Sequence, residues 1–221
     1  MPNTLAEPTA EAVLTRLFAA AARDGEVASA LPEDRPMSSD TSRSAAERSA
    51  AAQDIYMPVS AEGGRLLYSL VRSARPETVV EFGTSFGIST IFLAAAVTDN
   101  GTGRVVTTEL SSRKAEAARS NLEQAGVREA VTLLEGDALQ TLAGIPGPVG
   151  FVLLDGWKDL YLPVLHLLEP RLAPGALVVA DDSSFPSVGE YLAYVRDPDS
   201  GFVTVDFPVE DGMAISSWTG Q

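Results

Sequence analysis

Residues 78–89 read TVVEFGTSFGIS and combine a strand, a glycine turn and the start of a helix. The β-branched and aromatic side chains at 78–82 predict a short buried strand. Gly83 permits a tight turn, and the apolar residues after it predict a helix over 88–97. A strand that enters a helix through a short glycine turn is typical of α/β proteins built on a parallel sheet.

The same alternation of strand and helix continues along the chain from residue 60. The pattern predicts strands over 104–108, 131–134, 150–154 and 176–180, and helices over 61–73, 113–125, from 138, over 158–172 and over 187–196. Two closing strands, 202–207 and 213–217, have only a short turn between them, which requires an antiparallel pair. We therefore expect an α/β, Rossmann-like fold: a mostly parallel seven-stranded sheet with an antiparallel C-terminal hairpin and helices on both faces.

The first 56 residues differ in composition from the rest, because they are rich in Ala, Ser, Glu and Arg. Apolar residues at helical spacing predict a helix over 10–22, with Thr9 as its N-cap, and a second helix over 41–53. A loop over 32–40 is expected between them. We interpret residues 1–56 as a helical extension that forms a lid or an oligomer contact, and residues 57–221 as the α/β domain.

Composition excludes several classes of function. The 221-residue chain has a formal net charge of -14, so its surface is expected to repel nucleic acid. Cysteine is absent, which excludes disulfides and thiolate metal ligands. The chain starts without a basic stretch followed by an apolar run, and no apolar stretch reaches the roughly 18 residues of a membrane span. We therefore expect a cytoplasmic protein that does not contact membranes.

Lysine is rare in this sequence, since only Lys114 and Lys158 accompany the arginines among the 16 basic residues. A lysine can give up a proton where an arginine cannot. Lys114 lies in a charged helical stretch, and we interpret it as solvated surface. Lys158 follows an apolar strand and has acidic and aromatic neighbours, which favours a chemical role.

Three predicted strand ends carry groups that suit different parts of one ligand, at the edge where open α/β sheets bind ligands. Gly83 allows close backbone approach, and the Ser89 hydroxyl and nearby N–H groups suit a carboxylate. Glu109 suits a ribose diol, and Asp137 suits an adenine amine. Taken singly, these features are equally a plain turn, a surface acid and a helix N-cap. Together they indicate S-adenosylmethionine (SAM), and the missing third glycine argues against a nicotinamide oxidoreductase.

Acidic residues follow the next two strands. Asp155 comes after the fourth strand, and Asp181 and Asp182 come after the fifth. If these strands are neighbours, three carboxylates converge and repel one another. A divalent cation resolves this conflict, and hard oxygen ligands favour Mg²⁺, with Mn²⁺ or Ca²⁺ as alternatives. Each aspartate alone is also compatible with a helix cap or a loop acid.

The stretch LDGWKDLYLP at 154–163 resembles the metal-dependent O-methyltransferases of the catechol and caffeoyl-CoA type, a class I SAM-dependent family. The resemblance covers roughly residues 55–218. It implies methyl transfer from SAM to a hydroxyl of a small, catechol-like aromatic acceptor, a metal that orients and acidifies this hydroxyl, and a homodimer. It implies cofactor contacts, metal ligands and a base at the following residues: Val59, Glu81, Gly83, Ser89, Glu109, Asp137, Ala138 and Asp155 for the cofactor, Asp155, Asp181 and Asp182 for the metal, and Lys158 as the base.

The chain departs from the family pattern at identifiable positions. Asp182 stands where the family usually has asparagine, which keeps an oxygen ligand and adds a negative charge. Gly156 stands where catechol O-methyltransferase has histidine. The family's acidic residue near the far substrate hydroxyl has no clear match, and Asp206 is the candidate for it.

Several interpretations stay open from the sequence. Trp157 and Tyr161 form either an aromatic wall for the acceptor ring or part of the core, and His166 is interpreted as structural. One alternative function is metal-independent methyl transfer to a carboxyl group, a nitrogen or a carbon of a small metabolite. Another is a non-catalytic protein that only binds SAM.

Overall fold

Seven strands form one sheet in the computed structural model, which describes residues 3–30 and 40–220. The strands are β1 (Thr78–Phe82), β2 (Arg104–Glu109), β3 (Val131–Glu135), β4 (Val149–Leu154), β5 (Leu172–Ala180), β6 (Phe202–Phe207) and β7 (Met213–Trp218). Their order across the sheet is β3-β2-β1-β4-β5-β7-β6. Strands β1 to β5 are parallel, and β7 is antiparallel to both of its neighbours. The predicted fold class is confirmed.

Helices cover both faces of this sheet. They are α1 (Pro8–Ala21), α2 (Asp24–Ser29), α3 (Ala45–Ala51), α4 (Ala61–Ala74), α5 (Ile88–Asn100), α6 (Ser112–Gln124), α7 (Ala138–Thr141), α8 (Tyr161–Leu168) and α9 (Gly189–Val195). Helix α2 was not predicted, and the predicted loop over 32–40 lies, apart from Asp40, outside the described residues. No helix in the described parts of the chain is long and apolar enough to cross a membrane.

The helix predicted over 41–53 begins only at Ala45, because Ser44 is its N-cap. Proline explains two further predicted helix boundaries that are wrong. Helix α1 has Glu7 rather than Thr9 as its N-cap, because Pro8 occupies the first helical position, where its missing N–H costs nothing. The predicted helix over 158–172 is interrupted as well. Helix α8 ends at Leu168, and a 3₁₀ turn that contains Pro170 leads into β5.

The register of the parallel strands aligns their carboxyl ends at one edge. Phe82 of β1 pairs with Thr108 of β2 and with Leu154 of β4. Leu154 in turn pairs with Ala180 of β5. The residues that follow these four strands are therefore neighbours in space, as ligand-binding groups of doubly wound sheets are.

Each face of the sheet has its own apolar core. Helices α1, α4, α5 and α6 pack on one face, where Leu17, Leu67 and Leu122 are fully buried. Helices α7, α8 and α9 pack on the other face, where Leu142, Leu165 and Tyr191 are buried. Fully burying a leucine side chain contributes about 1.5–3 kcal/mol, so both layers hold the strand ends in place.

The segment before residue 57 is fastened to the α/β domain by polar contacts as well as by the core. The Thr4 hydroxyl donates to Asp99 at 2.6 Å, and Arg16 donates to Asn121 at 2.9 Å. The carboxylate of Asp24 accepts the backbone N–H of Met57 at 2.8 Å. A role of residues 1–56 as a lid or an oligomer contact stays a prediction.

Replacing Leu17 tests whether α1 belongs to the core. Leu17→Ala leaves a cavity under α1 and is expected to lower the free energy of unfolding by about 2–5 kcal/mol. The midpoint of thermal unfolding should fall by roughly 2–4 °C for each kcal/mol. Thr15→Ala, at an exposed position of the same helix, is the matched control and should change stability by less than about 0.5 kcal/mol. Equal effects of the two variants would contradict the packing described.

Candidate active site

A cavity of about 440 Å³ opens at the carboxyl edge of the sheet. Its walls come from the turns after β1, β2, β3, β4 and β5, from α3, and from the turn between β6 and β7. This volume lies in the range of about 300–1,000 Å³ that small-molecule sites occupy. The cavity is therefore the candidate ligand site.

The turn after β1 passes directly against the turn after β4. Gly83 has φ +106, and a Cβ atom on it would lie 2.4 Å from the carbonyl oxygen of Asp155. The N–H of Asp155 donates to the carbonyl of Phe82 at 2.9 Å, which fixes the two turns to each other. A Cβ atom on Gly156 would lie 2.4 Å from the Phe82 ring. The aromatic ring of Phe82 thus occupies the space that a side chain at position 156 would need.

Glu109 is held at the end of β2 by two backbone donors. The N–H of Ser85 donates to one carboxylate oxygen at 2.8 Å, and the N–H of Ser111 donates to the other at 2.8 Å. Glu109 is only 8% exposed and still lines the cavity. These contacts leave further lone pairs on both oxygens, so the carboxylate can accept hydrogen bonds from a ligand diol.

Asp137 and Ala138 line the cavity beyond β3. Asp137 also accepts the N–H of Leu139 at 2.9 Å and is the N-cap of α7. The helix-cap interpretation is therefore confirmed for Asp137. The cap leaves its other carboxylate oxygen available at the cavity wall.

Glu81 lies beneath the cavity rather than in its wall. It is fully buried, and its carboxylate accepts hydrogen bonds from the hydroxyls of Ser89, Thr90 and Thr107 at 2.6, 2.5 and 2.6 Å. Burial raises the pKa of Glu81, and the three hydroxyls oppose this effect. The Ser89 hydroxyl is engaged with Glu81, although Ser89 also lines the cavity. Glu81 thus braces the turn from below.

The predicted residue Val59 is likewise placed behind the cavity wall. Its side chain is fully buried in the core. The residues before it, Tyr56, Met57 and Pro58, line the cavity instead. The structure brings the remaining predicted cofactor residues to the cavity: Gly83, Ser89, Glu109, Asp137, Ala138 and Asp155.

Asp155, Asp181 and Asp182 converge at the other end of the cavity. Each offers a carboxylate oxygen, and these oxygens lie within 4.8 Å of one another. Burial and the neighbouring Asp181 charge raise the pKa of Asp155 well above its usual value. Burial and the Asp182 charge raise the pKa of Asp181 to about 7. Repulsion among the three carboxylates therefore disfavours the state in which all three are ionised.

Lys158 is the cation beside this cluster. Its Nζ atom lies 2.7 Å from an oxygen of Asp182 and 3.7 Å from an oxygen of Asp155. It also donates to the hydroxyl of Tyr161 at 2.7 Å. That hydroxyl donates to the carbonyl oxygen of Asp181 at 3.3 Å. Lys158 is thus held by contacts on three sides at the mouth of the carboxylate cluster.

Tyr161 and Trp157 have different environments. Tyr161 is fully buried, and its ring packs edge-on against those of Phe82 and Tyr191, so it belongs to the core. Burial raises the pKa of its hydroxyl well above the usual value. Trp157 lines the cavity, as do Tyr56, Phe86 and Phe185.

Arg48 of α3 closes the wall beside Trp157, and the sequence did not single it out. Its guanidinium group lies 5.0 Å from the Trp157 ring centre. It donates two hydrogen bonds to the carboxylate of Asp159, at 2.9 and 2.8 Å. Arg48 is 3% exposed, and a bidentate pair of this kind fixes the orientation of both partners. Nothing in the local composition around Arg48 distinguished it from other arginines.

The structure shows the environments of three residues that the sequence had left to interpretation: Lys114, Asp206 and His166. Lys114 is 5% exposed, so its interpretation as solvated surface is wrong: the α6 face that carries it turns toward Phe86 and the cavity. Asp206 pairs with Arg196 at 2.7 Å on the exposed strand β6 and is not a cavity residue. His166 lies on the surface, where its ring packs against Tyr194.

Glu210 and Asp211 of the β6–β7 turn line the cavity in place of Asp206. Glu210 accepts the backbone N–H of Ser60 at 2.7 Å, and its charge contributes to the raised pKa of Asp181. The sequence did not indicate Glu210, because its position depends on how β6 pairs with β7, and a local sequence pattern does not show this pairing.

The sheet order, the closing antiparallel hairpin and a ligand cavity at the carboxyl edge define the fold of the class I methyltransferases. Residues 80–183 match the family model for a methyltransferase domain. A probable O-methyltransferase of Mycobacterium tuberculosis is 34% identical over 161 residues, which cover 68% of this chain and 68% of that protein. Catechol O-methyltransferase B of Danio rerio is 35% identical over 147 residues, or 63% of this chain.

A solved structure agrees over nearly the whole chain. The O-methyltransferase TomG of Streptomyces achromogenes, involved in tomaymycin synthesis and solved in complex with SAM, is 26% identical with a TM-score of 0.66. The match covers 92% of this chain and 99% of that chain. The chain therefore belongs to the SAM-dependent O-methyltransferases of the catechol and caffeoyl-CoA type, a family of enzymes. It spans 55% of the Danio rerio relative and 68% of the Mycobacterium tuberculosis relative.

The raised pKa of Asp181 predicts that ionisation of this group lowers the free energy of unfolding as pH rises. Because this pKa is about 7 in the folded protein against an ordinary value of 3.8, the folded state binds more protons between these pH values. The free energy of unfolding contributed by this group therefore falls as pH rises through that window. Asp181→Asn carries no charge and should exceed wild type in unfolding free energy at pH 8 by about 1–4 kcal/mol.

Denaturant unfolding in the presence of a chelator, at pH 4 and at pH 8, measures this difference. The advantage of Asp181→Asn should become small at pH 4, because the wild-type carboxyl is protonated in the folded state there and only partly ionised in the unfolded chain. Asp206→Asn, at an exposed ion pair, is the control and should show only a small effect. An Asp181→Asn difference that is the same at both pH values would be inconsistent with the proposed charge repulsion.

Proposed function

We propose that this protein transfers a methyl group from SAM to a hydroxyl of a small aromatic acceptor with two vicinal hydroxyls. The observation that carries the proposal is one cavity with an anchored carboxylate, Glu109, at one end and the cluster of Asp155, Asp181 and Asp182 with Lys158 at the other. The first end suits a ribose and the second suits reacting oxygen atoms. The family membership supports this pairing of cofactor and acceptor.

The proposed cofactor position follows the turns after β1, β2 and β3. The close-approach turn at Gly83 takes the amino-acid part of SAM, Glu109 accepts from the ribose, and Asp137 with Ala138 borders the adenine. The SAM complex of TomG supports this assignment, since that protein shares the fold over nearly its whole length. Glu81 would act indirectly, by fixing the turn through Ser89 and Thr90.

The carboxylate cluster fits a divalent cation. Its three oxygens come from Asp155, Asp181 and Asp182, and hard carboxylate oxygens favour Mg²⁺, with Mn²⁺ or Ca²⁺ as alternatives. The raised pKa values of Asp155 and Asp181 support the fit, because a bound cation relieves the repulsion that raises them. When bound, such an ion stabilises negative charge on an acceptor oxygen and fixes the position of that oxygen.

Lys158 is the proposed base. An amine accepts a proton only in its neutral form, so Lys158 first has to release its own proton to solvent, and its 2.7 Å contact with Asp182 has to open. The neutral amine then takes the hydroxyl proton, and the acceptor oxygen attacks the methyl carbon of SAM. The carbon–sulfur bond breaks, its electron pair stays on sulfur, and S-adenosylhomocysteine leaves. Holding both reactants in one cavity supplies much of the acceleration in such reactions.

The acceptor end combines an aromatic wall with polar groups. Trp157 supplies the wall and is held by Arg48, which is fixed by Asp159. Exposed apolar side chains of Met57 and Phe185 border the same opening. This mixture supports a flat, partly apolar acceptor. The predicted homodimer stays a prediction.

One observation favours a second candidate function, metal-independent methyl transfer to a carboxyl, nitrogen or carbon atom of a small metabolite. The extra acidic residue, Asp182, is already paired with Lys158. This internal ion pair neutralises one of the three carboxylates, so the cluster needs less positive charge from an added cation than three unpaired carboxylates would. The two functions differ in their response to a chelator.

Formation of S-adenosylhomocysteine from SAM and catechol tests the proposal. Wild type with Mg²⁺ should be active, and a chelator should abolish the activity until Mg²⁺ is restored. Asp181→Ala should lose activity with Mg²⁺ present. Lys158→Met should lower kcat by about 10²–10⁴-fold, the usual contribution of a general base, while its affinity for S-adenosylhomocysteine is kept.

The matched control is Asp206→Asn, which removes a carboxylate outside the cavity and should keep wild-type kcat. Activity that survives the chelator would favour the metal-independent function. Unchanged kcat in Lys158→Met would remove the base assignment. Failure of the wild type to bind S-adenosylhomocysteine would overturn the cofactor assignment itself.

A further inference from the structure

Lys114 is a buried cation that the proposed chemistry does not use. It lies in the first turn of α6, is 5% exposed and lines the same cavity as Glu109. A lysine with this degree of burial ordinarily has a partner, because desolvating an ammonium group is costly.

The amine of Lys114 has no such partner within the described parts of the chain. It forms neither an ion pair nor a hydrogen bond there, and its contact is with the Phe86 ring, whose centre lies 5.5 Å from Nζ. Burial lowers the pKa of Lys114, and four carboxylates oppose that effect from a longer distance: Glu109, Asp24, Asp155 and Asp54. The donor positions of Nζ therefore stay available to a ligand in the cavity.

The surroundings hold this amine in a defined position. Phe86 stacks on Tyr56 with ring centres 3.9 Å apart, and Asn121 of α6 donates to the Phe86 carbonyl at 2.9 Å. Ser85 donates its hydroxyl to the Tyr56 carbonyl and its N–H to Glu109. The platform under Lys114 is therefore linked directly to the carboxylate at the end of β2.

We propose that Lys114 donates a hydrogen bond to a ribose hydroxyl of the bound cofactor and acts with Glu109 as a two-sided clamp on the ribose. This inference rests on the proposed function, because it concerns the same SAM site. Lys114 is then a cofactor-positioning residue that acts on binding, without a part in the proton transfer.

The chemistry of a ribose diol calls for both kinds of partner. Each hydroxyl has one hydrogen to donate and lone pairs to be satisfied. Glu109 can only accept, since it is a carboxylate whose two oxygens already take the N–H groups of Ser85 and Ser111. Lys114 can only donate. A buried, charge-assisted bond of this kind contributes about 1.5–3 kcal/mol, or roughly a 10- to 100-fold change in affinity.

Calorimetric titration with S-adenosylhomocysteine tests the clamp, because this product lacks the sulfonium charge of SAM. Lys114→Met should weaken binding by about 10- to 100-fold, and Lys114→Arg should recover part of the loss. Arg119→Met is the matched control. It removes one positive charge from the same helix, at a partly exposed ion pair with Glu135, and should bind like wild type.

The 2′-deoxy and 3′-deoxy analogues of S-adenosylhomocysteine distinguish a direct contact from a general effect of charge or packing. If Lys114 contacts one hydroxyl, wild type should lose affinity for the analogue that lacks it, and Lys114→Met should discriminate far less against that analogue. Equal discrimination by wild type and Lys114→Met for both analogues would overturn the inference, as would wild-type affinity in Lys114→Met.

Two results separate this inference from the proposed function. If wild type fails to bind S-adenosylhomocysteine, the SAM site itself is wrong. If wild type binds and Lys114→Met binds equally well, the SAM site stands and only the clamp fails. Thermal unfolding of each ligand-free variant shows whether a loss of binding comes from a loss of folded protein.

Discussion

Mutual repulsion among Asp155, Asp181 and Asp182 is the constraint on which the site depends. Three carboxylates with oxygens within 4.8 Å, two of them on largely buried residues, are unfavourable in an isolated domain. The sheet keeps them together because β4 and β5 are neighbours in register and both are buried in the core. The fold thus places three negative charges where either a bound cation or a positively charged side chain has to balance them.

Lys158 supplies part of that positive charge. The site therefore has two arrangements, one with Lys158 paired with Asp182 and one with Lys158 released. Paired with Asp182, Lys158 neutralises one carboxylate and cannot accept a proton. Released from Asp182 and after losing a proton to solvent, it is the proposed acceptor of the hydroxyl proton. Aspartate at 182, where the family usually has asparagine, therefore links the charge balance of the cluster to the proposed base, Lys158. The cofactor half is built differently, since Glu109 is fixed by backbone N–H groups.

The fold and much of the site follow from local sequence signals. Apolar strands with glycine or acidic residues at their carboxyl ends predicted the sheet, and parallel strands necessarily bring these ends to one edge. Gly83, Glu109, Asp155 and Asp181 were predictable for that reason. Glu81 has the same signal, but its side chain points below the edge, where three hydroxyls take its oxygens.

Residues that reach the site from helices or distant turns were not predictable. Arg48 and Lys114 lie in charged or alanine-rich helical stretches, where one sequence does not reveal which face is buried. Arg48 needs the docking of α3 on Asp159, and Lys114 needs the packing of α6 on Phe86. Glu210 depends on the pairing of β6 with β7. Each is a long-range contact, which no local pattern encodes.

The carboxylate cluster is proposed to hold a divalent cation next to a bound cofactor. Calorimetric titration of Mg²⁺ into the protein saturated with S-adenosylhomocysteine measures this directly. We expect one Mg²⁺ to bind per chain of wild type and none to bind to Asp181→Ala, with both proteins folded. Absence of Mg²⁺ uptake by the saturated wild type, or equal uptake by Asp181→Ala, would contradict it.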